Sequence, residues 1–180
     1  MAFTEVILVD ERDQPLGRME KLKAHQEGML HRAVTVYVFN PAGELLLQQR
    51  AEGKYHCGGL WSNTCCGHPA PHEETASAAQ RRLYEEMGLS CALTPAFSLQ
   101  YRLPLSNGLV EHEFGHVFFG ISGQAPKLNP AEAMAYRYQP LEAVLAETRY
   151  NPALFTPWFL LTLPDIPARF HEFLRLRYAG

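Results

Sequence analysis

Cys65-Cys66-Gly67-His68 sets thiols and an imidazole around a glycine, and Arg81, Arg82, Glu85 and Glu86 crowd together a short way downstream. A free thiol has an ordinary pKa of about 8.5, so it is mostly protonated at neutral pH and suits a proton donor as well as a nucleophile. An arginine fork matches phosphate oxygens, and glutamates at the end of a helix can hold a divalent cation. Most free cysteines are small buried hydrophobes. Cys66 departs from that default by standing at the mouth of a glycine loop, and Cys65 and Cys66 are adjacent and cannot easily bridge each other without strain.

Further groups of residues invite chemistry. Imidazole suits zinc or manganese and carboxylates extend the coordination, so His25, His31, His68, Glu111 and Glu113 form a candidate metal set. A lone histidine is usually core or surface, and His56, His72, His112, His116 and His171 show that eight histidines permit chance groupings. Lys21, Arg50, Lys54 and Arg82 lie in four segments that a compact fold can converge into a phosphate cradle. Singly, each is an ordinary surface charge, and Arg82 stands out only for its place in the glutamate-rich run. Trp61, Tyr101 and Trp158 are core residues by default, although an indole face stabilises a desolvated cation by about 2 kcal/mol.

The elements that must position these residues are legible from periodicity and turn chemistry. Residues 4–10 read as a strand ended by a turn at Asp13-Gln14-Pro15-Leu16-Gly17, and residues 19–25 as a short helical or irregular stretch. Residues 32–39 and 44–50 read as a hairpin around Asn40-Pro41-Ala42-Gly43. Residues 51–64, with Gly53, Gly58 and Gly59, read as loop. Ala76, Ala79, Leu83 and Met87 recur at helical spacing and Gly88 is placed to end that helix, which puts Glu85 and Glu86 on its last turn and Arg82 one turn earlier. Residues 96–103 and 109–122 read as strands joined at Ser106-Asn107-Gly108, with Glu111, Glu113 and Gly115 on one face and His112, Phe114 and His116 on the other. A short strand at 136–138 precedes helices at 141–147, 152–162 and 168–178. Residues 1–180 are expected to form a single α+β domain with a mixed sheet between helices.

Composition narrows the function classes. The chain has 180 residues, 47% hydrophobic and 19% charged, with a net charge of -3. That excludes disorder and leaves no electrostatic footprint for nucleic acid or an anionic membrane. No apolar run approaches a membrane span, and Met1-Ala2-Phe3-Thr4-Glu5 lacks the regions of a signal peptide, so a cytoplasmic protein with free thiols is expected.

Gly67 to Leu89 resembles the Nudix box, in which a glycine loop leads into a helix whose glutamates hold a divalent metal against a diphosphate. The box calls for Arg-Glu where this chain has Arg81-Arg82. Leu30-His31-Arg32-Ala33, Trp61 to Pro69 (Trp-Ser-Asn-Thr-Cys-Cys-Gly-His-Pro), the altered box, Glu111-His112-Glu113 and Pro157-Trp158 together resemble the type I isopentenyl-diphosphate isomerase family. The resemblance runs from about Glu20 to Trp158. It implies a Nudix-like fold and a proton-addition and proton-removal reaction. Isopentenyl diphosphate becomes dimethylallyl diphosphate through a tertiary carbocation, in isoprenoid biosynthesis, without breaking a bond to phosphorus. It further implies Cys66 and Glu113 as acid and base flanking the isoprenyl group, Tyr101 assisting Glu113, and Trp158 shielding the cation. One Mn2+ or Zn2+ would sit among His25, His31, His68, Glu111 and Glu113. A Mg2+ would bridge the diphosphate to Glu86 and the backbone carbonyl of Cys66. Lys21, Arg50, Lys54 and Arg82 would contact the diphosphate. A monomer acting on a small molecule, with neither nucleic acid nor membrane as partner, completes the expectation.

The arginine at position 82 then acquires a meaning: it removes a metal ligand that a water-activating hydrolase uses and adds a phosphate-binding charge. Tyr101, Trp158 and Phe114 are candidates for a wall that keeps water from the cation. Two other classes remain to be weighed. A Nudix hydrolase of a nucleoside diphosphate derivative would release phosphate or a nucleoside monophosphate. A non-catalytic diphosphate or metal-binding module would bind without proton exchange.

Overall fold

Strict alternation along one central strand organises the molecule in the computed structural model, which describes residues 4–179. In chain order the elements are β1 (Glu5–Val9), β2 (Pro15–Glu20), α1 (Lys21–Glu27), β3 (His31–Phe39), β4 (Leu45–Arg50), β5 (Trp61–Ser62), β6 (Cys65–Gly67), α2 (Thr75–Met87), β7 (Leu93–Pro104), β8 (Val110–Ile121), β9 (Ala133–Gln139), α3 (Leu141–Tyr150), α4 (Pro157–Thr162) and α5 (Ile166–Tyr178). Successive side chains of a strand point to opposite faces. Val34, Val36 and Val38 of β3 therefore pack with Ala78, Ala79, Leu83 and Met87 of α2. Tyr37 and Phe39 pack on the other side with Val144, Phe159, Ile166 and Phe170 from the last three helices. The result is the α+β arrangement expected, a mixed sheet between helices. Each fully buried large apolar side chain in these layers contributes roughly 1.5–3 kcal/mol.

The strand β3 is the hub. It runs parallel to β8 from His31↔Glu113 to Phe39↔Ile121, antiparallel to β6 at Thr35↔Cys66, and meets β1 at Leu8↔His31. The strand β8 pairs in turn with β7, setting Tyr101 opposite Glu113. His31, Glu113 and Tyr101 therefore lie in one row across three strands.

Several expectations need correction. The turn at residues 40–43 forms, with Gly43 at φ +83, but the hairpin ladder is limited to Phe39↔Leu45. Beyond it β3 and β4 part, because Thr64 enters between them: its Oγ1 accepts from Val38 N at 2.8 Å and donates to Leu46 O at 2.7 Å. The strand β4 instead pairs with β9 and β5. The segment 51–64 is thus not all loop, since Trp61–Ser62 pairs with Gln48 and Gln49. Pro15–Gly17 belongs to β2 rather than to a turn; Pro15 sits on an edge strand, where its missing N–H costs nothing. Residues 152–162 are not one helix. A 3-10 turn at Pro152–Leu154 ends at the extended residues Phe155 and Thr156, and α4 restarts with Pro157 in its first turn. The Met1-Ala2-Phe3 segment lies outside the described residues. No helix among the described residues is long and apolar enough to cross a membrane.

Candidate active site

Local chain features gather the candidate side chains at one cavity of about 640 Å³, with His25 and His31 packed against its lining residues His68, Glu111 and Glu113. Glu20 caps α1, accepting from the amides of Leu22 at 3.0 Å and Lys23 at 2.8 Å. This fixes Lys21 and His25 in the first and last turns. The helix α2 ends where expected, at Gly88 with φ +62, whose N–H donates to Tyr84 O. A Cβ on Gly67 would fall 2.6 Å from Cγ of Arg82, so only glycine lets β6 lie this close to the arginine of α2. Arg81 pairs with Glu73 at 2.8 Å and donates to the carbonyl of His68 at 3.1 Å, tethering the segment that carries that histidine.

A cluster of imidazoles and carboxylates lies at the base of the cavity. Ligand atoms of His25, His31, His68 and Glu113 come within 4.8 Å of one another, as do those of His25, His56 and Glu111. Nδ1 of His25 faces the Lys21 carbonyl at 2.7 Å, and Nδ1 of His31 faces the Met29 carbonyl at 2.8 Å. Carbonyls only accept, so each neutral ring carries its proton on Nδ1 and turns the Nε2 lone pair inward. Nε2 of His31 is buried without a hydrogen-bond partner, 3.6 Å from Glu113 Oε1. A lone pair held by a carbonyl behind it and left unmet in front is what a divalent cation requires, and the donor set fits one.

The electrostatics follow from burial and these partners. Burial pushes the charged form of His68 away and lowers its pKa to about 3, so the ring is neutral, with Nε2 2.9 Å from Glu113 Oε1. Burial would raise Glu113, but His31 and His68 facing it hold its carboxyl well below the usual range. Burial and the nearby Glu113 charge would likewise raise Glu111, yet His25 and His56 at its oxygens keep it lowered. Burial also disfavours the charged form of His25, although Glu111 and the Lys21 carbonyl raise it overall. Tyr101 hydroxyl donates a very short hydrogen bond to Glu113 Oε2. With burial and this carboxylate beside it, Tyr101 stays protonated far into the alkaline range.

Cys66 lines the same cavity. Burial pushes its thiol up to about 12, with Asn63 acting in the opposite direction. Asn63 is fully buried, and its amide Nδ2 donates to Cys65 O at 2.7 Å and to Cys66 Sγ at 3.2 Å. Its Oδ1 lies 3.3 Å from the same sulfur and can accept the thiol proton. Trp158 is 5% exposed, donates Nε1–H to Ser62 Oγ at 3.1 Å and carries the Arg50 guanidinium 5.2 Å from its ring.

The four cations converge as a group. Lys21, Arg50, Lys54 and Arg82 all line the cavity. Arg82 pairs with Glu85 at 2.6 Å, Glu86 at 2.5 Å and Glu132 at 3.3 Å, while Lys54 pairs with Glu132 at 2.6 Å. Burial lowers the pKa of Lys21, helped by the like charges of Lys54 and Arg82. Glu86 is buried, which raises its pKa against the pull of Arg82, and it accepts from Gln48 at 2.7 Å.

Two weighed candidates do not join the site. Phe114 projects from the opposite face of β8, beside His116 at 5.5 Å between ring centres, because alternation sends it away from Glu113. Trp61 packs under the Arg137 guanidinium at 4.2 Å. Conversely, Asn63, His56, Tyr55 and Glu132 enter the site without having been singled out. Asn63 lies inside the Trp61 to Pro69 motif, whereas nothing local marks Glu132.

The geometry and the comparisons agree on class. Residues 29–159 match the NUDIX domain family, and the fold resembles a crystal structure from Deinococcus radiodurans at a TM-score of 0.68 and 20% identity. That likeness covers 81% of this chain and 89% of the other. The sheet between helices, with a metal-capable site beside an acidic helix end, is that of a NUDIX-domain protein. An isopentenyl-diphosphate Delta-isomerase from Pectobacterium atrosepticum is 60% identical over 96% of this chain and 97% of its own length. The isopentenyl-diphosphate Delta-isomerase 2 of Aromatoleum aromaticum is 51% identical over 90% and 86%. The chain belongs to the isopentenyl-diphosphate Delta-isomerase family.

Proposed function

We propose that this chain, acting as a single domain, converts isopentenyl diphosphate to dimethylallyl diphosphate with Cys66 and Glu113 as the acid–base pair. The observation that carries the reading is that Cys66 and Glu113 line one cavity in surroundings that favour opposite protonation states. Cys66 is held as a thiol by burial, and Glu113 is held as a carboxylate by its histidines. In the forward direction the thiol proton goes to the terminal alkene carbon, leaving a tertiary cation, and Glu113 takes a proton from the carbon beside it. The new double bond forms between those two carbons. A proton must then leave Glu113 and return to the Cys66 sulfur before the next turnover.

Tyr101 assists by donating to Glu113, which keeps that carboxylate aimed at the substrate. Trp158 contributes an indole face, worth about 2 kcal/mol to a desolvated cation. Lys21, Arg50, Lys54 and Arg82 bind the diphosphate. His25, His31, His68, Glu111 and Glu113 would hold one Mn2+ or Zn2+, and Glu86 with the Cys66 carbonyl would hold a Mg2+ on the diphosphate. Such ions supply fixed positive charge that orders the carboxylates and neutralises phosphate oxygens.

Arg82 speaks against hydrolysis. Its guanidinium occupies the space between Glu85, Glu86 and Glu132, where a hydrolase would gather metal ions to activate water. Metal analysis of the purified protein, paired with turnover of isopentenyl diphosphate before and after chelation, tests the reading. One tightly held transition metal and metal-dependent conversion are expected. Full turnover of fully chelated protein would overturn the metal assignment.

A further inference from the structure

His56 stands outside the ligand set just described, yet it is buried to 9% exposure and reaches the centre of that set. Its Nε2 lies 3.0 Å from Glu111 Oε1, while the other oxygen of the same carboxylate faces Nε2 of His25 at 3.2 Å. His56 is gripped from behind by Arg50, which donates to its carbonyl at 3.2 Å. Its ring also meets Trp158 edge to face at 5.5 Å.

The proton position separates His56 from His25 and His31. His25 and His31 have a backbone carbonyl at Nδ1, so a neutral ring keeps its proton there and can offer the Nε2 lone pair to a cation. Nδ1 of His56 has no partner. Were Nε2 of His56 a ligand, its single proton would sit on Nδ1 as a buried donor with nothing to accept it, a costly arrangement. With the proton on Nε2, the ring donates to Glu111 and leaves only an unfilled acceptor. We propose that His56 is a positioning residue, not a ligand: it pins one oxygen of Glu111 so that the other is presented beside His25 to a divalent cation. This inference rests on the metal reading of the His/Glu cluster. The sequence left His56 among the chance histidines because the contact joins a loop to a strand far along the chain.

The test uses apoprotein titrated with Zn2+ against a competing chelator, and the visible spectrum of the Co2+ form. His56→Ala should weaken Zn2+ binding about 10–100-fold, the usual loss for a group that orients a ligand. His56→Gln keeps an amide N–H that can reach Glu111, so it should recover most of that affinity and leave the Co2+ bands in place. Unchanged Zn2+ affinity in His56→Ala, or Co2+ bands in His56→Gln that report a lost nitrogen ligand, would overturn the positioning role. A wild-type protein that binds neither ion would overturn the metal reading itself, a result distinct from both.

Discussion

Tyr101, Glu113 and His31 occupy one row across three hydrogen-bonded strands, whereas Lys21, Arg50, Lys54 and Arg82 reach the cavity from a helix start, a strand end, a loop and a helix interior. The first group is placed by backbone register, which a ladder of hydrogen bonds over β3, β7 and β8 makes stiff. The second sits on long side chains, of which Lys54 and Arg82 are parked on Glu85, Glu86 and Glu132. Proton transfer tolerates little misplacement, while a diphosphate with many oxygens can be met by several cation geometries. The two regions should therefore fail differently when altered, the first in kcat and the second in KM.

The largest effect is expected at the proposed acid–base pair. Glu113→Gln or Cys66→Ala should each lower kcat by about 10²–10⁴-fold in a steady-state isomerisation assay, with circular dichroism showing an intact fold. Full activity of Cys66→Ala would remove the thiol from the mechanism. Tyr101→Phe should cost less, about 10–100-fold in kcat with KM nearly constant, since it deletes one hydrogen bond to a charged group. On the cation side, Lys54→Met should raise KM by roughly 10-fold and leave kcat within a few-fold. A fall in kcat alone would mean that the two regions are not separable in this way.

The smallest signal concerns the thiol. A thiol pushed up to about 12 becomes thiolate only as pH rises through that value, so at pH 8 only about one Cys66 in ten thousand is ionised. Iodoacetamide at pH 8, read by peptide mapping, should label Cys66 far more slowly than an exposed model thiol. Rapid labelling would show a thiolate, and a different proton inventory from the one proposed.

The sequence showed what depends on neighbours along the chain and missed what depends on distant pairing. Alternation placed Glu111 and Glu113 together and helical spacing placed Arg82, Glu85 and Glu86 on successive turns, as found. Phe114 has the chemistry of a water-excluding wall, but the same alternation sets it on the face of His116, away from the site. The β3–β4 ladder is shorter than the two strands suggest, because nothing in either strand reveals that Thr64 parts them. His56 and Glu132 were invisible as site residues for the same reason: each acts through a partner that only the folded sheet supplies.

The central claim is that the diphosphate is gripped while chemistry occurs on the hydrocarbon, and solvent deuterium tests it most directly. Isopentenyl diphosphate incubated with the protein and Mg2+ in D2O should yield dimethylallyl diphosphate carrying deuterium in a methyl group, with no phosphate released. Release of phosphate or of isopentenyl monophosphate, with no deuterium on carbon, would contradict the account.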